Sequence, residues 1–564
     1  MKTKLLYLLY SASILHAQAT ENTNNYEITF QNNSKTSTGY SVPYALRGGL
    51  NSQNTLGLYQ YQSVVLKNNA AIATKNLAAG ADIGNRLEAD AYSYGGAIYS
   101  TNSVHINNNT SVDFSNNFAQ ASTSAQTIKG YTAEAFSYSA GGAIYTTSDI
   151  ELLHNGSVKF SNNFVDASSY AAATGSTTAS GVDFASSAQG GAIYTAGSLT
   201  ISDNSNVLFE KNYEKKQEGN EPAVYLLRSI HLESADKLTL SAKNAGNIAI
   251  YDSLYMKHKT NASVSLNSDY KDVNGVTQKA TGDIVFSGKY TEEHLKEIKG
   301  GTAGTTTEIA NSRTSELLNT VYLCGGTLSV EDKAVLKTQE LNVAANSNAT
   351  VKIKNATLST GGYSVNVNNT GTLALEGTDG SSKLTATNVN IEKGGTLSAV
   401  NVENINEFIT LTAAEAVSIY NEKLCGTISG NLNLAAGATY KASGAHLSVK
   451  SGTLTLTATS DSKINLVLAL GTQYNDDSKV MLFTDVNMVK FVLDNLSTSK
   501  SGSAITLNAA DYFCGDWINE KTALIYDGSS VYVTGVNRVI PEPATATLSL
   551  LALAALATRR RRRA

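Results

Sequence analysis

The chain has 564 residues with 43 basic and 47 acidic side chains, and setting aside Lys2, Lys4, Glu542 and Arg559 to Arg563 leaves 36 basic against 46 acidic residues, a net charge of −10. Such a mildly acidic surface argues against nucleic acid or an anionic membrane as partner. Abundant Ser, Thr, Asn, Gly and Ala, with only four prolines and one tryptophan, suit many short β-strands joined by polar turns.

At the N-terminus Lys2 and Lys4 precede an apolar stretch from Leu5 to Leu15, and Ala17-Gln-Ala19 fits an A-x-A cleavage site. Residues 1–19 therefore read as a signal peptide, cut by signal peptidase to leave a mature chain from Thr20. An exported protein is expected.

Three times the string Gly-Gly-Ala-Ile-Tyr is followed, 19 residues after its first glycine, by a phenylalanine that opens Phe-x-x-Asn. The copies are Gly95-Gly96 with Phe114 and Asn117, Gly141-Gly142 with Phe160 and Asn163, and Gly190-Gly191 with Phe209 and Asn212. Apolar pairs recur between them: Val104 and Ile106, Ile150 and Leu152, Leu199 and Ile201, then Val112, Val158 and Val207 two residues before each phenylalanine. Self-similarity at a long fixed period marks a stack of one supersecondary unit, here a β-solenoid of short apolar-x-apolar strands. Asn109, Asn155 and Asn204, like the Asn of Phe-x-x-Asn, suit corners and can stack as ladders because Asn tolerates left-handed angles and bonds nearby backbone. The glycine pair serves a third corner. Weaker copies start at Arg47, with Leu56, Leu58, Val64, Leu66 and Asn69, and at Glu221, with Ile230, Leu232, Leu238 and Leu240. These make five related coils between about Tyr44 and Asn244, the outer two degraded as units near the ends of a stack are. The stretches Ala119 to Ala140 and Val165 to Gln189 are either intervening coils or loops on one face.

Gly-Gly-Ala-Ile coupled to Phe-x-x-Asn resembles the repeat of the chlamydial polymorphic outer membrane proteins and related autotransporter passengers, and Leu238 to Asp252 resembles the segment C-terminal to the repeats in that family. The resemblance implies a right-handed parallel β-helix displayed on a cell surface, with adhesion linked to the two motifs. At the end of the chain the likeness stops, because the sequence there has no membrane β-barrel of amphipathic strands.

The repeat β-helix is assigned to 20–260 and further solenoid coils to 261–460, where strand alternation persists but the repeat is lost. Thr291 to Ile298 and Thr412 to Leu424 read as helical interruptions, the second with Glu415 at a capping-box position. Longer apolar strands over 461–537 suggest a β cap, and a solenoid escapes the usual several-domain expectation for this length because each coil touches only its neighbours.

Residues 538–564 hold Pro541-Glu542-Pro543, an apolar run from Ala544 to Thr558 and the cluster Arg559, Arg560, Arg561, Arg562, Arg563. This tail resembles the PEP-CTERM sorting signal of Gram-negative bacteria, which implies recognition by an exosortase-like membrane enzyme, removal of the tail and passage to the surface, outer membrane or extracellular matrix. Physically, 15 apolar or small residues make a transmembrane helix of about 22 Å, short against a membrane core of about 30 Å. The arginines hold the C-terminus on the cytoplasmic side of the inner membrane, and the prolines keep the processing segment extended. A permanent tail anchor is the alternative.

Cys324 and Cys425 could pair and leave Cys514 over, or all three could be isolated thiols; no spacing suits a metal. The histidines are scattered, and His105 and His154 read as solvent-facing filler. Neither G-x-S-x-G, H-E-x-x-H nor a P-loop occurs, Asn475 to Ser478 reads as an acidic turn in preference to a calcium ligand set, and no cofactor or metal is expected. Tyr99, Tyr145 and Tyr194 share one repeat offset and are the candidate ligand contacts, as platforms for sugars or protein side chains, or else stabilise the stack by stacking on one another. The sequence thus reads as a non-enzymatic, surface-displayed adhesin or surface-layer component whose partners are host glycans or mucin, extracellular polysaccharide or surface proteins. A β-helix lyase or hydrolase acting on polysaccharide stays open because its carboxylates would come from separate coils, as does an inert stalk.

Overall fold

A computed structural model describes residues 21–22, 25–38, 44–46, 49–78, 86–128, 132–174, 182–344, 347–401, 423–443, 445–468 and 479–536. The protein is all-β, and its strands form a large sheet system in which most strands pair in parallel with their counterparts in the neighbouring turns of chain. The pairing obeys the sequence offsets. Ile98, Ile144 and Ile193 stand in register, as do Val104, Ile150 and Leu199, and Phe114, Phe160 and Phe209. Because alternate side chains of a strand face opposite sides, these residues all point inward, and one continuous apolar core runs from Phe30 to Val536.

The first two clear coils each have three short core strands, for example Ile144–Thr146, Ile150–Leu153 and Ser157–Ser161, and in the third the last two run together as Leu199–Glu210. The copy from Arg47 is in the expected frame, with Leu56, Leu58, Val64 and Leu66 against Val104, Ile106, Val112 and Phe114. The copy from Glu221 is displaced by one strand. Ile230 pairs with Ile193, Leu238 with Leu199, and Ile248 and Ile250 with Val207 and Phe209. The chain between Tyr213–Glu218 and Val224–Leu232 turns back as an antiparallel hairpin instead of completing the motif, which shifts the frame. A further turn precedes the expected five, because Ile28 and Phe30 pair with Val64 and Leu66.

The Ala/Ser/Thr-rich stretches are neither extra coils nor loops. Phe118–Ile128 and Phe164–Thr174 lead away from the core strands, and Thr132–Ala140 and Val182–Gln189 return. Stacked over successive coils they make a two-layered flange whose interior is small: Ala71, Ala73, Ala91, Ala119, Ala121 and Val165 near its base, with a second cluster around Leu87, Ala125 and Ala135 further out. Alanine permits close approach of the layers, and Ser93 Oγ and Ser139 Oγ donate across them to the carbonyls of Ala71 and Asp166, both at 2.7 Å.

Beyond the flange, helix α1 (Thr291–Ile298) lies where the sequence places it. A second helix, α2 (Thr306–Ser312), is an addition to the sequence expectation, although Thr305 and Glu308 form a capping box. Helix α2 closes a strand edge, since Glu308 Oε1 accepts from the Tyr225 N–H at 2.9 Å and Ser312 Oγ from that of Leu227 at 3.0 Å. The expected helix at Thr412 falls on 402–422, outside the described residues, and Leu424 already opens a strand. The repeat is not lost in the second half but shortened: Leu328, Val351, Leu373 and Leu397 stand in register 22 to 24 residues apart. Parallel pairing continues to Met488–Leu493 and to Phe513–Cys514 on Ile464–Leu468, while Leu496–Ser501, Ile505–Asn508, Ala523–Tyr526 and Val531–Thr534 pair antiparallel and cover the end of the core.

The free-thiol alternative holds for the cysteines: Cys324, Cys425 and Cys514 are unbridged, and burial pushes the Cys425 thiol up to about 12. Among the described residues no helix is long and apolar enough to cross a membrane. The expected transmembrane segment Ala544 to Thr558 lies outside them, as do Ala17, Ala19, Pro541, Glu542, Pro543, the arginine cluster and Asn475 to Ser478.

Candidate functional site

The repeat glycines do two different jobs. Gly95, Gly141 and Gly190 have φ of 63°, 65° and 71°, a left-handed conformation that glycine adopts without a Cβ clash. Gly96 and Gly142 are needed for close approach, because a Cβ on either would stand 2.0 Å from the carbonyl oxygen of the equivalent glycine one coil on.

Two asparagine ladders run beside the core. Nδ2 of Asn69, Asn117 and Asn163 donates to Oδ1 of the next ladder residue at 2.9 Å, through Asn212 to Asp252 at 3.0 Å. The second ladder links Asn109, Asn155 and Asn204 at 3.0 and 2.9 Å. Each amide also serves backbone groups of the adjoining coils, for example Asn163 Nδ2 to the Phe114 carbonyl at 2.9 Å, so these buried polar groups are satisfied. The ladder asparagines are not themselves left-handed. That conformation belongs to the residue before each: Asn68, Asn108, Asn116, His154, Asn162, Asp203 and Lys211. His154 is therefore a corner residue whose Nδ1 meets Asp203 at 2.8 Å, and His105 meets Glu151 at 2.6 Å. Neither is free filler.

The structure brings Tyr99, Tyr145 and Tyr194 into one row on the outside of the first core strand, with ring centroids 5.5 and 5.0 Å apart and planes within 4°. His231 extends the row at 5.5 Å. The row is covered in part: Tyr94, from the returning layer of the flange, lies 4.6 Å from Tyr145 and 5.5 Å from Tyr138, and Tyr194 is only 7% exposed. Burial raises the Tyr99, Tyr145 and Tyr194 hydroxyl pKa values above their usual value, and burial lowers that of His231 to about 4. These groups are neutral near pH 7, so the rings themselves can stack and hydrogen-bond without carrying charge. A second row, Phe118, Phe164 and Tyr213, stacks at 4.8 and 4.9 Å along the base of the flange. The sequence carried its signal one residue beyond each Phe-x-x-Asn. By contrast, Phe114, Phe160 and Phe209 are wholly buried and stack at 4.8 and 4.9 Å, which makes them core.

Among the described residues no group of three or more His, Cys, Asp or Glu side chains is placed to hold a metal. Compared with family models, with curated proteins and with solved structures, the chain gives no match in any of the three.

Proposed function

We propose that this protein is an exported, surface-displayed β-helix of right-handed winding that serves as an adhesin or as a structural component of a surface layer or matrix. The observation that carries the reading is the repetition of outward aromatic rings at about 5 Å spacing from coil to coil, in the Tyr99–Tyr145–Tyr194 row and the Phe118–Phe164–Tyr213 row. Where these rows are uncovered, a repeating partner such as a polysaccharide, a mucin glycan or another β-rich surface meets similar chemistry from one of these coils to the next, and weak contacts add along the stack. In this reading Ala17 and Ala19 are processed by signal peptidase. Pro541, Glu542, Pro543 and the arginine cluster address the chain to an exosortase-like enzyme after brief residence in the inner membrane.

The test is a glycan and mucin binding screen of the purified chain run beside a reducing-end assay. Binding without release of sugar supports the adhesin, release of reducing ends replaces it by a polysaccharide-active enzyme, and no binding to any surface or polymer leaves an inert stalk.

A further inference from the structure

A cleft of about 540 Å³ lies between helix α1 and the outward face of two successive third-face strands. Its floor is set by strand register, which places Asn206 beside Asn247, and continues to Glu210 and Tyr251. Its roof is Tyr290 and His294 of the α1 turn. Tyr251 and Tyr290 meet edge to face at 5.1 Å, and the His294 ring lies 5.5 Å from Tyr290. Three segments distant in sequence thus converge, and no local motif announces them.

The cleft is open rather than enclosed, but two polar atoms in its lining are buried. His294 is 4% exposed and its Nδ1 has no hydrogen-bond partner among the described residues, and the same holds for Oδ1 of Asn247. Unsatisfied buried groups cost of the order of 1–3 kcal/mol each, so their retention calls for a partner. Of the charged groups lining it, Lys211 is paired with Glu297 at 2.7 Å and Glu210 with Lys159 at 2.8 Å, while Glu293 offers a carboxylate with no ion-pair partner among the described residues. Burial, with Lys211 nearby, holds His294 below its ordinary pKa despite Glu210, Glu293 and Glu297, and so keeps the imidazole neutral. What these groups suit is a molecule with one apolar face and several hydroxyl or amide groups at its edge, with the Glu293 carboxylate as a further acceptor for a hydroxyl.

We propose that this cleft is a saccharide-binding site, with Tyr251 and Tyr290 against the C–H face of a sugar ring and Asn247 and His294 bonded to its hydroxyl or acetamido groups. Its volume falls in the range of small-molecule sites, about 300–1,000 Å³. It lies on another strand of the coil than the tyrosine row, so it stands or falls apart from the adhesin reading.

The test uses the full chain labelled with ¹⁵N-histidine and titrated with lactose and with N-acetylglucosamine. With seven histidines in the sequence, the His294 resonance is assigned by its loss in His294→Asn. At least one sugar should shift the His294 signal while leaving that of His105 in place, and Tyr251→Ala and Asn247→Ala, each with an unchanged melting temperature, should bind it at least tenfold more weakly. A His294 signal indifferent to both sugars, or equal affinity in the folded variants, overturns the proposal. Because the wild-type resonance is read directly, failure of a variant to fold does not remove the test.

Discussion

The last member of the longer ladder breaks its own rule: Asp252 stands where the preceding coils have asparagine. Its Oδ2 accepts from Asn212 and Ser229, while Oδ1 is buried without a partner among the described residues. An asparagine there would present a donor on that side, as Asn163 does toward the Phe114 carbonyl; a carboxylate cannot unless protonated. Burial raises the Asp252 pKa to about 6 against the lowering effect of its hydrogen bonds. Since the folded pKa lies above the unfolded value of about 3.9, the stability tied to this proton is complete below about pH 4 and is lost as pH rises through about 6. Asp252→Asn should therefore stabilise the protein at pH 7.5 by up to about 3 kcal/mol, and the gain should vanish near pH 4. Urea titrations across that range check this, and a gain independent of pH would contradict it. Gly142→Ala makes the opposite point about close approach. Its methyl would stand 2.0 Å from the Gly191 oxygen and 2.6 Å from that of Phe164, both backbone atoms that cannot turn aside, so the variant should lose about 3 kcal/mol or more in the same titration. Phe160→Asp, which puts an unpaired charge between Phe114 and Phe209, should abolish the cooperative transition of the flanged coils. Retention of their near-ultraviolet dichroism would show that this is not the core face.

At the level of elements, the flange is the part that the sequence conceals. Runs such as Ala119 to Ala140 alternate small with small, so the period-two signal that betrays a strand between core and solvent is weak, although the layers are regular strands in register. The core strands are legible because Val, Ile, Leu and Phe alternate sharply with Ser, Asn and Lys at fixed offsets. The frame at Glu221 misleads because Ile230 and Leu240 fit two neighbouring strands equally well, and only the hairpin before them decides between the fits. Of the candidate contacts, the shared offset reveals the tyrosine row, but not that Tyr94 and Tyr138 lie over it. Because of that packing, Tyr145→Ser is not a mild surface change. It removes the ring joining coil and flange and should cost about 2 kcal/mol or more, seen as a lower melting temperature, while Tyr363→Ser, at a side chain 51% exposed, should leave it unmoved. The flange also ends deliberately. Among the described residues Val182–Gln189 pairs with one strand only, and the N–H groups of Ser186 and Gly190 are taken by Glu218 at 2.9 Å and Glu214 at 2.7 Å. Acidic side chains so placed discourage another chain from continuing the layer.

For the whole molecule, the antiparallel strands at the C-terminal end do for the core what those glutamates do for the flange. Removing 479–536 should bare the paired edges of Ile464–Leu468 and Thr453–Ala458 and give a chain that self-associates, measurable by light scattering against the full-length protein. The sequence's single tryptophan, Trp517, is buried within that terminal unit, whereas the parallel tyrosine stack belongs to the flanged coils far from it in the chain. The two ends thus carry separate optical reporters. Indole fluorescence tracks the terminal unit, and tyrosine dichroism tracks the stacked rings. If adjoining coils are coupled only to their neighbours, the two signals should be lost at different urea concentrations, and the interval between them measures how far order is transmitted along the molecule.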